Sequence, residues 1–113
     1  RTLDTGALKR LVEGHGLPFI TTSMARGCLP DGHPLCANEV RHQIQGLADV
    51  VVMAGAAFDW RFRFGAELSR GVRVVQVDAE AAAVGRNVEP ALGVCADPGR
   101  FLARLTTALD ALP

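Results

Sequence analysis

Apolar positions change their period several times along the chain. Leu3, Leu8, Leu11 and Val12 recur at helical spacing, and Gly14 and Gly16 close the run. This predicts a helix from about Asp4 to His15. Pro18 then opens PFITT, which reads as a strand. The following MARGCLPDGHPL carries two glycines and two prolines and reads as a long, ordered loop. In NEVRHQIQGL, Val40, Ile44 and Leu47 share one helical face, and Asn38 is placed to cap it. VVVMAG is a continuous apolar run, as expected of a strand covered on both faces. AAFDWRFRFG mixes aromatics and arginines. Phe58, Phe62 and Phe64 read as packing residues there, and Glu67 to Arg70 as the end of a short helix. Val72 to Val77 form the next strand. DAEAAAVGRNVEP reads as a helical turn and a loop ended by Pro90, and LGVCA as a short final strand. Asp97 caps the last helix with Pro98 at its first position. Phe101, Leu102, Leu105, Leu109 and Leu112 give that helix its apolar face.

The predicted order is therefore α-β-α-β-α-β-β-α. Apolar, non-alternating strands separated by helices imply an α/β fold: three layers around a doubly wound, mostly parallel, Rossmann-like sheet. The chain opens with a helix where such a fold opens with a strand, so the first strand is expected to be missing. Arg1 in place of methionine points to a processed or excised segment.

Composition narrows the function. At 113 residues the chain has room for one domain, and 49% hydrophobic residues suffice for a core. Basic and acidic residues balance at 12 each, which excludes the basic field expected of a nucleic-acid binder. Lys9 is the single lysine among the cations; the others are arginines, suited to two-donor contacts with phosphate or carboxylate. Cys28, Cys36 and Cys95 form no C-x-x-C, and His15, His33 and His42 do not join them at zinc spacing. Reduced thiols, a cytoplasmic location and no metal site are expected. No apolar run reaches the roughly 20 residues of a membrane span.

Candidate chemistry gathers at the strand ends, the edge where open α/β sheets bind ligands. The predicted strands end at Thr21-Thr22, Gly55, Asp78 and Asp97. A carboxylate at such a tip can accept two hydrogen bonds from a ribose diol. Asp78 can equally cap the turn DAEA that follows it, and the pattern leaves both readings open. Neither G-x-G-x-x-G nor G-x-x-x-x-G-K-[ST] occurs, so phosphates would be held by arginine or by residues upstream. With no G-x-S-x-G elbow and no distinctive carboxylate pair, no residue is assigned a catalytic role.

Three stretches, in order, resemble a known family: LVEGHGLPFITTSMARGCLPDGHPL, LADVVVMAGAAFDWR and VVQVDAEAAAVGRNVEP. Together they are similar to the central domain of thiamine-diphosphate-dependent enzymes, a domain of NAD/FAD-binding type, over about Leu8 to Leu109. The stretch HPLCANEVRHQIQGLADV lacks the glycine-rich insert that holds flavin in acetolactate-synthase-like members. Its length, with DWRFRFG, resembles the 2-hydroxyacyl-CoA lyase and oxalyl-CoA decarboxylase branch.

What the resemblance implies is a non-catalytic central domain of a lyase or decarboxylase that stabilises the assembly and binds ADP or the nucleotide of CoA, with flavin disfavoured. Carried over by position, Arg41 contacts the nucleotide and Asp78 the ribose. Ala96 and Asp97 lie where adenine is read, and Gly55 lets backbone approach the ligand. Arg61 aligns with an arginine of the flavin branch, and Arg26 lies near the acyl-CoA. Ala57 and Asp59 depart from the family's arginine and asparagine. By the same resemblance, thiamine diphosphate and magnesium belong to the flanking pyrimidine- and diphosphate-binding domains of the parent enzyme, a homo-oligomer, since neither the family's activating glutamate nor its G-D-G…N motif is found in this chain. The alternatives are the central domain of an acetolactate-synthase-like enzyme, and an independent or degenerate nucleotide-binding module.

Overall fold

A computed structural model describes residues 5–21, 32–56, 58 and 60–113. Its elements are α1 (Thr5–His15), α2 (Arg41–Leu47), β1 (Val50–Ala54), β2 (Arg73–Asp78), β3 (Leu92–Cys95) and α3 (Pro98–Asp110). The fold is α/β, with a parallel sheet of the Rossmann-like kind. Backbone contacts divide the chain into two compact units, Arg1–Glu39 with Gly99–Pro113, and Val40–Pro98.

In the first unit α1 buries Leu11 and Val12 while Lys9, Arg10 and Glu13 face solvent, the division its apolar spacing predicts. The helix ends at Gly16, whose φ of 64° lets the Leu17 N–H donate back to the Val12 carbonyl at 3.1 Å. The strand expected at PFITT reduces to one parallel bridge, Phe19 to Cys36. Phe19 N–H donates to the Leu35 carbonyl, and Ala37 N–H to that of Phe19.

Asn38 was expected to cap the helix after it. Instead its Oδ1 accepts the Thr21 N–H and its Nδ2 donates to Thr21 Oγ1, both at 2.9 Å. A 3₁₀ turn over Asn38–Val40 intervenes, so α2 starts only at Arg41, without a side-chain cap. The amide satisfies a backbone donor of the preceding segment rather than those of α2.

His33 ties its own turn to α1. Its Nδ1 accepts the Leu35 N–H at 3.1 Å, so Nε2 carries the proton and meets Glu13 Oε2 at 3.0 Å. Its ring stands edge-on to Phe19. At the two helix ends, His15 pairs with Asp110 at 2.9 Å. From α3 the unit buries Leu102 and Thr106, whose hydroxyl donates to the Leu102 carbonyl one turn back.

The second unit is built on the sheet, ordered β1-β2-β3 with every pairing parallel. The register aligns Val52 with Val75 and Leu92, Met53 with Gln76 and Gly93, and Ala54 with Val77 and Val94. Side chains in one register row point to the same face. Met53, Val74 and Val77 are buried, as are Phe58 and Phe62 from the segment after β1. The two phenylalanine rings meet edge to face with centroids 6.1 Å apart, in keeping with their reading as packing residues.

That segment is not the short helix expected to end at Arg70. It is a 3₁₀ stretch, Trp60–Gly65, followed by turns. Arg63 and Gly65 hold φ of 47° and 88°, which an α-helix does not accommodate. Among the described residues, no helix is long and apolar enough to cross a membrane.

Candidate functional site

Three parallel strands put their carboxyl ends on one edge of the sheet, and short backbone bonds fix the residues that follow. Gly55 N–H donates to the Val77 carbonyl at 2.8 Å, and Ala96 N–H to the Asp78 carbonyl at 3.0 Å. Asp78 is the last paired residue of β2, opposite Cys95. Gly55, Asp78 and Ala96 are thereby neighbours across the edge, and Asp97 comes next in the chain, directly before α3.

Gly55 turns the chain off β1 with φ of 74°. A Cβ at this position would come within 3.3 Å of the Pro98 ring. Glycine therefore keeps the backbone close to the start of α3 and presents bare main chain at the strand tip.

Asp78 is half-buried, and its Oδ1 accepts the Glu80 N–H at 2.9 Å. The turn-capping role left open by the pattern is thus real. Oδ2 has no partner among the described residues, so the same side chain can still accept from a ligand. Cys95 Sγ, on the same sheet face, donates to the Ala79 carbonyl.

Arg41 is the first residue of α2 and half-buried. Its guanidinium carbon lies 5.0 Å from the centroid of the Phe62 ring, a cation–π contact. The arginine is thereby held against the segment that leaves the β1 tip. Gln45, one turn further along α2 and buried, donates from Nε2 to the Arg41 carbonyl at 2.9 Å. The neighbouring His42 meets Glu67 at 2.6 Å, and Arg63 lies 3.8 Å from the other oxygen of that carboxylate. Arg61 falls in the 3₁₀ stretch. Its side chain, together with Arg26, Thr22, Ala57 and Asp59, lies outside the described residues.

Two polar residues not singled out by the sequence hold the β2–β3 connection. Gln76 lies in β2 with no exposed surface. Its Nε2 donates to the Ala83 carbonyl at 3.1 Å and its Oε1 accepts the Gly85 N–H at 2.9 Å. Both ends of a buried amide are satisfied, and the 3₁₀ turn Ala81–Ala83 is pinned to the sheet. Asn87, at a φ of 69°, donates from Nδ2 to the Phe58 carbonyl at 3.0 Å. The signal for Gln76 was present, as one amide inside the apolar run VVQV. Nothing local marks Asn87, because its partner lies 29 residues away.

Known proteins resemble the chain over nearly all of its length. The family described as thiamine pyrophosphate enzyme, central domain, matches residues 4–105. Human 2-hydroxyacyl-CoA lyase 1 is 36% identical over 109 residues, 95% of this chain and 19% of the human protein. The 2-hydroxyacyl-CoA lyases of Oryza sativa subsp. japonica and Saccharomyces cerevisiae are each 33% identical, over 85% and 90% of this chain. The chain spans 17% of the former and 19% of the latter, about a fifth of the length of these relatives.

Proposed function

Because this chain belongs to the central-domain family of thiamine pyrophosphate enzymes, we propose that residues 1–113 form the single, non-catalytic central domain of a longer protein akin to the 2-hydroxyacyl-CoA lyases. In this reading the domain stabilises the assembly and holds an adenine nucleotide, either ADP or the nucleotide end of CoA. The observation that carries the ligand half is the meeting of Gly55, Asp78 and Ala96 at one sheet edge through backbone bonds.

Each residue then has a physical task. Asp78 accepts a ribose hydroxyl at Oδ2 while Oδ1 keeps the Glu80 turn. Gly55 admits the ligand close to main chain. Arg41, held over the Phe62 ring, offers guanidinium donors to phosphate. Ala96 and Asp97 face the adenine, Arg61 supplements Arg41, and Arg26 serves the acyl-CoA.

The parent enzyme is a cytoplasmic homo-oligomer whose flanking domains carry thiamine diphosphate and magnesium. Bound there, the cofactor supplies the carbanion stabilisation needed to cleave a carbon–carbon bond. The magnesium diphosphate is assigned to the neighbouring domains, as membership of the central-domain family implies.

Calorimetry with ADP, CoA and NAD at millimolar concentration tests the ligand half. Measurable heat is expected from an adenine nucleotide, with affinity lowered about tenfold or more by Asp78→Ala. Asp78→Asn is the control, since its amide oxygen can still accept the Glu80 N–H. No heat with any of the three ligands overturns nucleotide binding and leaves the assembly role.

A further inference from the structure

α2 lies with its polar side covered. The apolar spacing expects Val40, Ile44 and Leu47 to face the core, yet Val40 is 48% exposed and Leu47 80%. Gln45 keeps only 5% of its surface, and Arg41, one turn before it on the same side, is half-buried.

The buried amide is a poor element for folding. Its Nε2 donates to the Arg41 carbonyl at 2.9 Å, an oxygen that the α-helix already supplies with the Gln45 backbone N–H. Its Oε1 is buried and has no hydrogen-bond partner among the described residues. An unsatisfied buried acceptor costs more than a second bond to a carbonyl already served returns. An apolar side chain of similar size would pack there at least as well.

What the amide does accomplish is local. α2 has seven residues and no side-chain cap, and Arg41 is its first residue. So short a helix has little stability of its own, and its end frays. The Gln45 bond ties the Arg41 peptide group to the next turn. At the other end of the side chain, the guanidinium lies over Phe62, which is buried edge to face against Phe58. Arg41 is thus gripped at its backbone by Gln45 and at its charged end by a ring seated in the core. We infer that Gln45 is a positioning residue for Arg41, fixing the main chain from which the guanidinium reaches a nucleotide phosphate, at a net cost to folding. The inference rests on the nucleotide reading above and adds to it a residue that does not touch the ligand.

The test combines calorimetry with ADP and CoA, thermal melts and a crystal structure, all on the full-length protein and its Gln45→Leu variant. The variant is expected to bind the nucleotide about fivefold or more weakly, while its melting midpoint stays level or rises. Its structure should show the Arg41 guanidinium displaced from the Phe62 ring. Unchanged affinity overturns the inference, as does a guanidinium that stays in place. A lowered melting midpoint makes Gln45 a packing residue and overturns it as well. No heat from the wild-type protein with either ligand removes the nucleotide reading and this inference together, whereas wild-type heat matched by the variant removes the inference alone.

Discussion

The two flanks of β2 are held by different means. Toward β3, an irregular connection is fastened by Gln76 and by close glycine contacts. A Cβ on Gly65 would clash with a Val88 methyl, and one on Gly93 would lie 2.6 Å from a Val84 methyl. Toward the outside, β1 is regular and apolar, yet its alternate valines are exposed. Regular secondary structure thus does not mark where the unit is tightest. Single-atom tolerances concentrate where the irregular connection meets its neighbours, at Gly65, Gln76 and Gly93.

The steepest way to break this contrast is Gly65→Ala. It combines a φ of 88° with a clash against Val88, and should cost about 3 kcal/mol or more in a denaturant melt. Gln76→Leu comes next. Leaving the Ala83 carbonyl and Gly85 N–H without their buried partner should lower stability by about 1–3 kcal/mol. Asn87→Ala should cost about 1–2 kcal/mol through the lost Phe58 bond and the left-handed backbone. Asn87→Gly, relieved of the backbone part, should cost less. On the open flank, Val52→Thr should shift the melt of this 113-residue chain by only about 0.5 kcal/mol in either direction. A loss there as large as that of Gln76→Leu would erase the difference between the flanks.

What could be read from the residues divides along the same line. The three strands, α1, α3 and the turn after Asp78 follow from local patterns: apolar runs, helical spacing, and Asp-Pro at a helix start. Phe58 and Phe62 were legible as packing residues because aromatics of that density have few other places to go. The stretch from Glu67 to Arg70 forms turns instead of the expected helix end, held by distant partners: His42 on Glu67, and the Ala48 carbonyl, which accepts from Ser69 Oγ. Asn38 misled for a similar reason. A capping residue type binds whichever backbone donor is nearest, and here that donor belongs to Thr21. At the candidate site, parallel order and strand ends sufficed to bring Gly55, Asp78 and Ala96 together. The stacking of Arg41 on Phe62 could not be anticipated, because it depends on how the 3₁₀ stretch folds back over α2.

The bond from Glu80 N–H to Asp78 Oδ1 has an entropic consequence. Folding has already restricted the rotation of that carboxylate, so a hydroxyl arriving at Oδ2 meets an acceptor whose aim is set in advance. The rotamer freedom that a loose surface aspartate would surrender on binding, about 0.5–1.5 kcal/mol for a mobile side chain, is mostly spent before any guest arrives. A turn of three residues thereby preorganises the strand tip.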